Sequence, residues 1–278
     1  MNTDIKLVAL DLDRTTLNSE SHLSEVNRQA LIDAIGNGVH VCIASGRAFD
    51  TLPEDVISVP GIEYAITSNG AAIYRIAGKE CLKSYVLTSE SVKTILKLTE
   101  NDIVTYEAFI KGQAFASTEY IRHPEKYGAT EHSLAYVKKT RLLKDDIKGF
   151  ILEHCHELDS LDIVVGDDEL KKNIMDRIRK ATDEVYMTSS ISQLLEISYK
   201  DAGKKSGVKF LTEYLGLSRE NVAAFGDADN DTDMIEYAGV GIAMENAAPH
   251  LKQIADHITL HHDKDGVAYA FRNILNIC

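Results

Sequence analysis

A chain of 278 residues with 44% hydrophobic and 26% charged residues and only 4 prolines has the composition of a globular protein with one large or two smaller cores, which excludes a disordered or low-complexity chain. Its formal net charge of -13 sets up a field that repels phosphate backbones and anionic bilayers, so neither nucleic acid nor membrane is an expected partner. Cys42, Cys81, Cys155 and Cys278 lack C-x-x-C spacing, the N-terminus lacks the basic start of a secretory signal, and no segment approaches the roughly 20 apolar residues of a bilayer span, so a reducing, cytoplasmic location is expected.

In chain order, KLVAL (residues 6 to 10) is a short apolar run of the kind buried on both faces of a parallel sheet, and it ends in Asp11 and Asp13. A helical stripe of Val26, Ala30, Leu31, Ala34 and Ile35 follows, with Ser24 as its N-cap. VHVCIA predicts a second strand running into Ser45, Gly46 and Arg47, and YAIT a third running into Ser68, Asn69 and Gly70. Residues 84–188 change texture to paired extended segments and helices, an α+β pattern. Beyond them SGVKFLTEYLGL, NVAAFGD, NDTDMIEYAG and VGIAM return to helix and strand in alternation. The expected organisation is an α/β core of residues 1–83 and 189–278, with a parallel, Rossmann-like sheet, interrupted by an inserted α+β domain at 84–188.

Ligands of open α/β sheets bind outside the carboxyl ends of the strands, and four such ends here carry polar groups: Asp11 with Asp13, Ser45, Asn69, and Asp227 with Asp231. Carboxylates converging there would repel one another unless a cation neutralised them, and hard oxygen donors suit Mg²⁺. A metal-held phosphoryl group fits beside them, with the Ser45 hydroxyl and neighbouring backbone N–H groups at the start of a helix as an anion site and Lys204 as a compact charge. One carboxylate can then act as nucleophile and the other as acid and base.

Each feature alone has an ordinary explanation. D-x-D is common in surface turns, Ser45 can be an N-cap, Lys204 with Lys205 a solvated pair, and Asn69-Gly70 a plain turn. FGDADNDTDM is not a calcium loop, because Thr232 stands where glycine is required and Ala238 where the bidentate Glu belongs. His154, Cys155 and His156 are neighbours in sequence and rarely converge on one ion, and His261, His262 and Asp263 are read in the same way.

The ordered set DLDRTTL (11–17), IASGR (43–47), TSNGA (67–71), EISYKDAGKKSGV (196–208), FGDADNDTDMIEYAGVGIAMENA (225–247) and DGVAYA (265–270) resembles the haloacid dehalogenase-like hydrolases, in particular their Cof-type sugar phosphatases. The resemblance implies a Mg²⁺-dependent phosphatase of small phosphorylated metabolites, monomeric or homodimeric, with a specificity cap that closes over the site on hinges near Lys83 and Ser189. Asp11 would be nucleophile and metal ligand, and Asp13 the general acid and base, lending its carbonyl to the metal. Asp227 would be a further ligand, with Asp231 beside it orienting a metal-bound water. Ser45, Gly46, Arg47, Asn69, Lys204 and Asn230 would bind the phosphate.

Two departures stand out. Lys205 fills a position usually held by a small residue, and Arg14 replaces the glycine of D-x-D-G-T, a place arginine accommodates easily only at negative φ. Arg14 is either an extra cation for an anionic substrate or a side chain paired within the structure. His123, Lys126 and Tyr127 are expected cap contacts to substrate. A phosphomutase of the same superfamily and a non-catalytic phosphometabolite-binding regulator are the alternatives.

Overall fold

The computed structural model of the protein describes residues 4–278. The chain begins with β1 (Leu7–Leu10), α1 (Glu25–Gly36), β2 (His40–Ala44), α2 (Glu54–Ile57), β3 (Tyr64–Thr67), β4 (Ala72–Arg75) and β5 (Glu80–Ser84). It continues through α3 (Ser89–Leu98), β6 (Thr105–Ile110), β7 (Gln113–Ser117), α4 (Thr118–Arg122), α5 (Glu131–Thr140), β8 (Leu142–Lys144) and α6 (Ile147–Glu153). Next come β9 (Ser160–Val164), α7 (Asp168–Ala181), β10 (Val185–Thr188) and β11 (Leu194–Tyr199). The last stretch holds α8 (Lys204–Tyr214), β12 (Val222–Gly226), α9 (Thr232–Tyr237), β13 (Val240–Ala243), α10 (Pro249–Ile254), β14 (His257–Ile258) and α11 (Gly266–Ala270). No helix among the described residues is long and apolar enough to cross a membrane.

Two compact units result, one of residues 4–47, 52–83 and 203–278, the other of 48–51 and 84–202. The first is built on an eight-stranded sheet in the order β14-β13-β12-β1-β2-β3-β4-β5. From β14 to β3 every pairing is parallel, and β3–β4 is antiparallel. All four side chains of β1 are fully buried, as the unbroken apolar run requires of a central strand covered on both faces. Ser24 caps α1 by accepting from Asn27 N–H, as its position predicts. Asn27, Ala30, Leu31 and Ala34 turn inward, whereas Val26, expected on that stripe, is 43% exposed because it lies in the first turn, ahead of the packed face.

The second unit carries a six-stranded sheet in the order β10-β11-β9-β6-β7-β8, antiparallel except for β7–β8. Leu161, Ile163, Leu195, Ile197 and Tyr106 on one face pack against Val92, Ile95, Ile151, Ile174 and Ile178 of α3, α6 and α7. The second boundary differs from the expected 189. Leu194 to Ser198 of β11 pair with Val164 to Ser160 of β9, so that sheet holds the chain as far as 202. An alternating strand such as LLEISY reads the same whichever sheet takes it up.

Candidate active site

Strands β12, β1, β2 and β3 are adjacent and parallel, so their carboxyl ends share one edge of the large sheet. Asp11 prolongs the β1–β12 ladder, its N–H donating to Phe225 O at 3.1 Å, which keeps it beside the loop that follows β12. There the chain folds back on itself, with Thr16 Oγ1 donating to Asp11 O at 2.6 Å and Leu17 N–H to Leu12 O at 2.9 Å. Arg14 lies in this bend at φ +61°, ψ 14°, the left-handed region and not the negative φ that suits an arginine. Its carbonyl accepts from Asn246 Nδ2 at 2.8 Å, and its Nε is 3.7 Å from Asp227 Oδ2, so the side chain is paired although 64% exposed.

Lys204 is the first residue of α8 and is wholly buried. Its Nζ donates to Asp11 Oδ1 at 2.7 Å and to Asp231 Oδ1 at 2.6 Å, whereas Lys205 is exposed. Asp231 is also fully buried; its second oxygen accepts from the N–H groups of Asp227 and Ala228 at 2.9 and 3.0 Å. Asp227 Oδ1 lies 3.5 Å from the Thr15 hydroxyl and Oδ2 3.5 Å from Asn246 Nδ2. Thr15 in DLDRTTL and Asn246 in FGDADNDTDMIEYAGVGIAMENA carry no local pattern that marks them as neighbours of Asp227.

One oxygen each from Asp11, Asp227 and Asp231 can be chosen within 4.8 Å of one another. Three buried carboxylates against one ammonium leave the cluster too negative. Burial first, then the charge of Asp231, pushes the Asp11 carboxyl well above the ordinary range despite Lys204, and the same two causes push Asp227 up to about 7. Burial works against the Lys204 ammonium, but the two carboxylates outweigh it and hold the charge on. Crowded oxygen donors that cannot all ionise are the donor set of a hard divalent cation, so the residues fit Mg²⁺. Asp231 already has both oxygens occupied by donors, which suits it to orienting neighbours more than to direct ligation.

Arg47 grips Asp13 with two hydrogen bonds, Nε to Oδ2 at 2.8 Å and a terminal nitrogen to Oδ1 at 2.6 Å. Asp13 therefore lies at the site edge with its side chain half exposed. Ser45 is buried at the end of β2; its Oγ accepts from Arg47 N–H at 3.2 Å, and half-buried Gly46 lies between them. No helix starts at Ser45, contrary to expectation: the next helical turn is Phe49–Thr51, so the local donors belong to a bend. Asn69 and Asn230 are buried against each other, Asn230 Nδ2 donating to Asn69 Oδ1 at 3.0 Å.

The other histidine clusters singled out in the sequence have protein partners, His262 Nδ1 lying 3.0 Å from Leu17 O. His154 pairs with Glu157 at 2.6 Å, and Asp263 binds Ser19 through both oxygens at 2.8 and 2.6 Å, although His261, His262 and Asp263 do form a compact group. In the second unit Lys126 and Tyr127 both donate to Glu119 Oε1, at 2.7 and 3.2 Å, and His123 lies 3.7 Å from Glu125.

A family model described as haloacid dehalogenase-like hydrolase matches residues 8–271. Among curated proteins, the Bacillus subtilis 5-amino-6-(5-phospho-D-ribitylamino)uracil phosphatase YcsE is 30% identical, over 98% of this chain and 96% of its own. The phosphatase YwpJ of the same organism is also 30% identical, over 98% of this chain and all of its own. A solved haloacid dehalogenase-like hydrolase from B. subtilis superposes with a TM-score of 0.83 at 27% identity, covering 98% of this chain and 100% of that one.

Proposed function

The chain belongs to the haloacid dehalogenase-like hydrolases and is a phosphatase of that family, and from this premise we propose that it hydrolyses small phosphorylated metabolites, sugar or polyol phosphates above all, with Mg²⁺ and through an aspartyl-phosphate on Asp11. The observation that carries the reading is the buried lysine shared by Asp11 and Asp231, with Asp227 alongside. A phosphorylated ribityl chain in the name of one relative supports the substrate class. The net charge of -13 and four free cysteines support a cytoplasmic protein that acts on small molecules, without nucleic acid or membrane as partner.

Lys204 ties down Asp11 Oδ1 and leaves Oδ2 to attack phosphorus. As the new O–P bond forms, the ester P–O bond breaks and Asp13 gives a proton to the leaving oxygen. Asp13 can do this only once Arg47 has released one of its oxygens. In the second half Asp13 takes a proton from water, the water oxygen attacks phosphorus, and Asp11 departs as inorganic phosphate forms. Ser45, Lys204 and Asn230 hold the phosphoryl oxygens. Asp11, Asp227 and the Asp13 carbonyl would hold the cation, with Asp231 steering the cluster, and the bound cation supplies the positive charge that lets these carboxylates and the phosphate coexist.

Phosphate release measured across a panel of sugar, polyol, nucleotide and cofactor phosphates, with and without Mg²⁺, tests the proposal. Mg²⁺-dependent release is expected, and Asp11→Asn should abolish it. Substantial release by that variant refutes the nucleophile assignment, and isomerised product without free phosphate would make the protein a mutase.

A further inference from the structure

After β3 the backbone passes through three consecutive left-handed residues, Ser68 at φ +48°, Asn69 at +51° and Gly70 at +87°. L-residues avoid this region, asparagine least of all and serine more strongly, so a buried run of this kind is retained only where its surroundings demand it. Its hydrogen bonds show what it serves. Ser68 N–H donates to Arg47 O and Asn69 N–H to Ser45 O, each at 3.0 Å, joining the turn to the segment after β2. Gly203 N–H donates to Asn69 O at 3.0 Å, one residue ahead of Lys204. A Cβ on Gly70 would lie 1.9 Å from Gly203 O, so the turn is pressed against the start of α8. The Asn69 side chain meets Asn230, next to Asp231.

Three segments that are far apart in sequence thus meet on one turn, and each abuts a residue of the proposed chemistry: Ser45, Lys204 and Asp231. The backbone contacts would hold whatever side chain stood at 69, provided it tolerated the left-handed angles. The amide–amide bond to Asn230 is different. It reaches from the turn to the acidic loop, where Asn230 stands next to Asp231. We propose that Asn69 is a positioning residue, not a phosphate ligand: its amide oxygen sets Asn230, and with it the loop carrying Asp227 and Asp231, in register with Ser45 and Lys204. The inference rests on the phosphatase reading and assigns Asn69 its part in that site.

Asn69→Gly separates the two functions, because glycine adopts the left-handed angles freely and keeps the backbone bonds while losing only the amide. Against an aryl phosphate with saturating Mg²⁺, Asn69→Gly should lower kcat about tenfold, with KM within about twofold and the thermal midpoint unchanged. Asn230→Ala should lower kcat at least as far. The double variant should fall no further than Asn230→Ala alone, since both changes remove the same bond. Wild-type kcat in Asn69→Gly, or losses that multiply in the double variant, overturns the proposal. Amide hydrogen exchange gives an arm that needs no turnover: Asn69→Gly should speed exchange across residues 226–234, and unchanged exchange there overturns the positioning role even in a protein that hydrolyses nothing. Absence of phosphate release by the wild type, with exchange altered as expected, overturns the phosphatase reading alone.

Discussion

Replacing Asp227 by asparagine should stabilise the cation-free protein, an unusual direction for a change at a buried polar residue. Burial and the Asp231 charge raise this carboxyl from its ordinary 3.8 to about 7, in spite of Arg14 and Lys204. An acid whose folded value lies above its unfolded one binds its proton more tightly in the folded state. The stability tied to this carboxyl is therefore fully present below about pH 4 and is lost as the pH rises through 7. At about 1.4 kcal/mol per pH unit over about three units, the carboxylate costs about 2–4 kcal/mol above pH 8. Asparagine keeps the shape and the acceptor that faces Thr15 without the charge. Urea unfolding followed by circular dichroism in chelator should place Asp227→Asn about 2–4 kcal/mol above wild type at pH 8 and within about 0.5 kcal/mol of it at pH 4. Mg²⁺ at about a hundred times its Kd should then add about 2.7 kcal/mol to wild type, and the variant should gain little. A variant less stable than wild type in chelator at pH 8 would refute the electrostatic argument, and one gaining as much from Mg²⁺ would refute the ligand assignment.

Lys204→Met should be costly, about 3–5 kcal/mol in the same titration, because Asp11 and Asp231 would be left buried without their counter-charge; a loss under about 1 kcal/mol would mean that the cluster relaxes or takes up protons freely. Arg14→Gly should relieve about 1–2 kcal/mol of left-handed strain and return about 0.4–1 kcal/mol through the looser unfolded chain. The thermal midpoint should therefore rise by about 2–3 °C, and a fall would show that the contact with Asp227 outweighs the strain. In the second unit Asp162 faces Glu107 and Glu196 across neighbouring strands and is pushed well above the ordinary carboxyl range by burial, then by Glu196 and Glu107, with Ser160 and Arg141 opposing. Stability that depends on it is lost as the pH rises, so Asp162→Asn should flatten the decline measured by urea unfolding between pH 5 and pH 8; an unaltered pH profile would remove Asp162 as its source.

The strand ends were legible because a fully buried parallel strand is an unbroken apolar run whose polar termination marks the ligand edge. KLVAL and NVAAF announced Asp11 and Asp227 in this way, and VHVCIA announced Ser45. Other features depended on partners that no local pattern encodes. The boundary at 202/203 follows from β11 pairing with β9, a choice made by strand neighbours and not by the strand itself. The left-handed Arg14 is set by a bend closed through Thr16 and Asn246.

Taken by itself, the sequence determined which segments form buried strands, in what order helix and strand alternate, and which carboxylates arrive at strand ends, because hydrophobic period and turn chemistry are local properties. Only the tertiary structure decided that Lys204 and not Lys205 is enclosed by Asp11 and Asp231, that Arg47 holds Asp13, and that the turn at Asn69 meets Asn230. Those contacts join residues from 27 to 193 positions apart. Their geometry is set by how sheet neighbours and helix rotation bring distant side chains into one buried, charge-crowded space, and no local pattern records that.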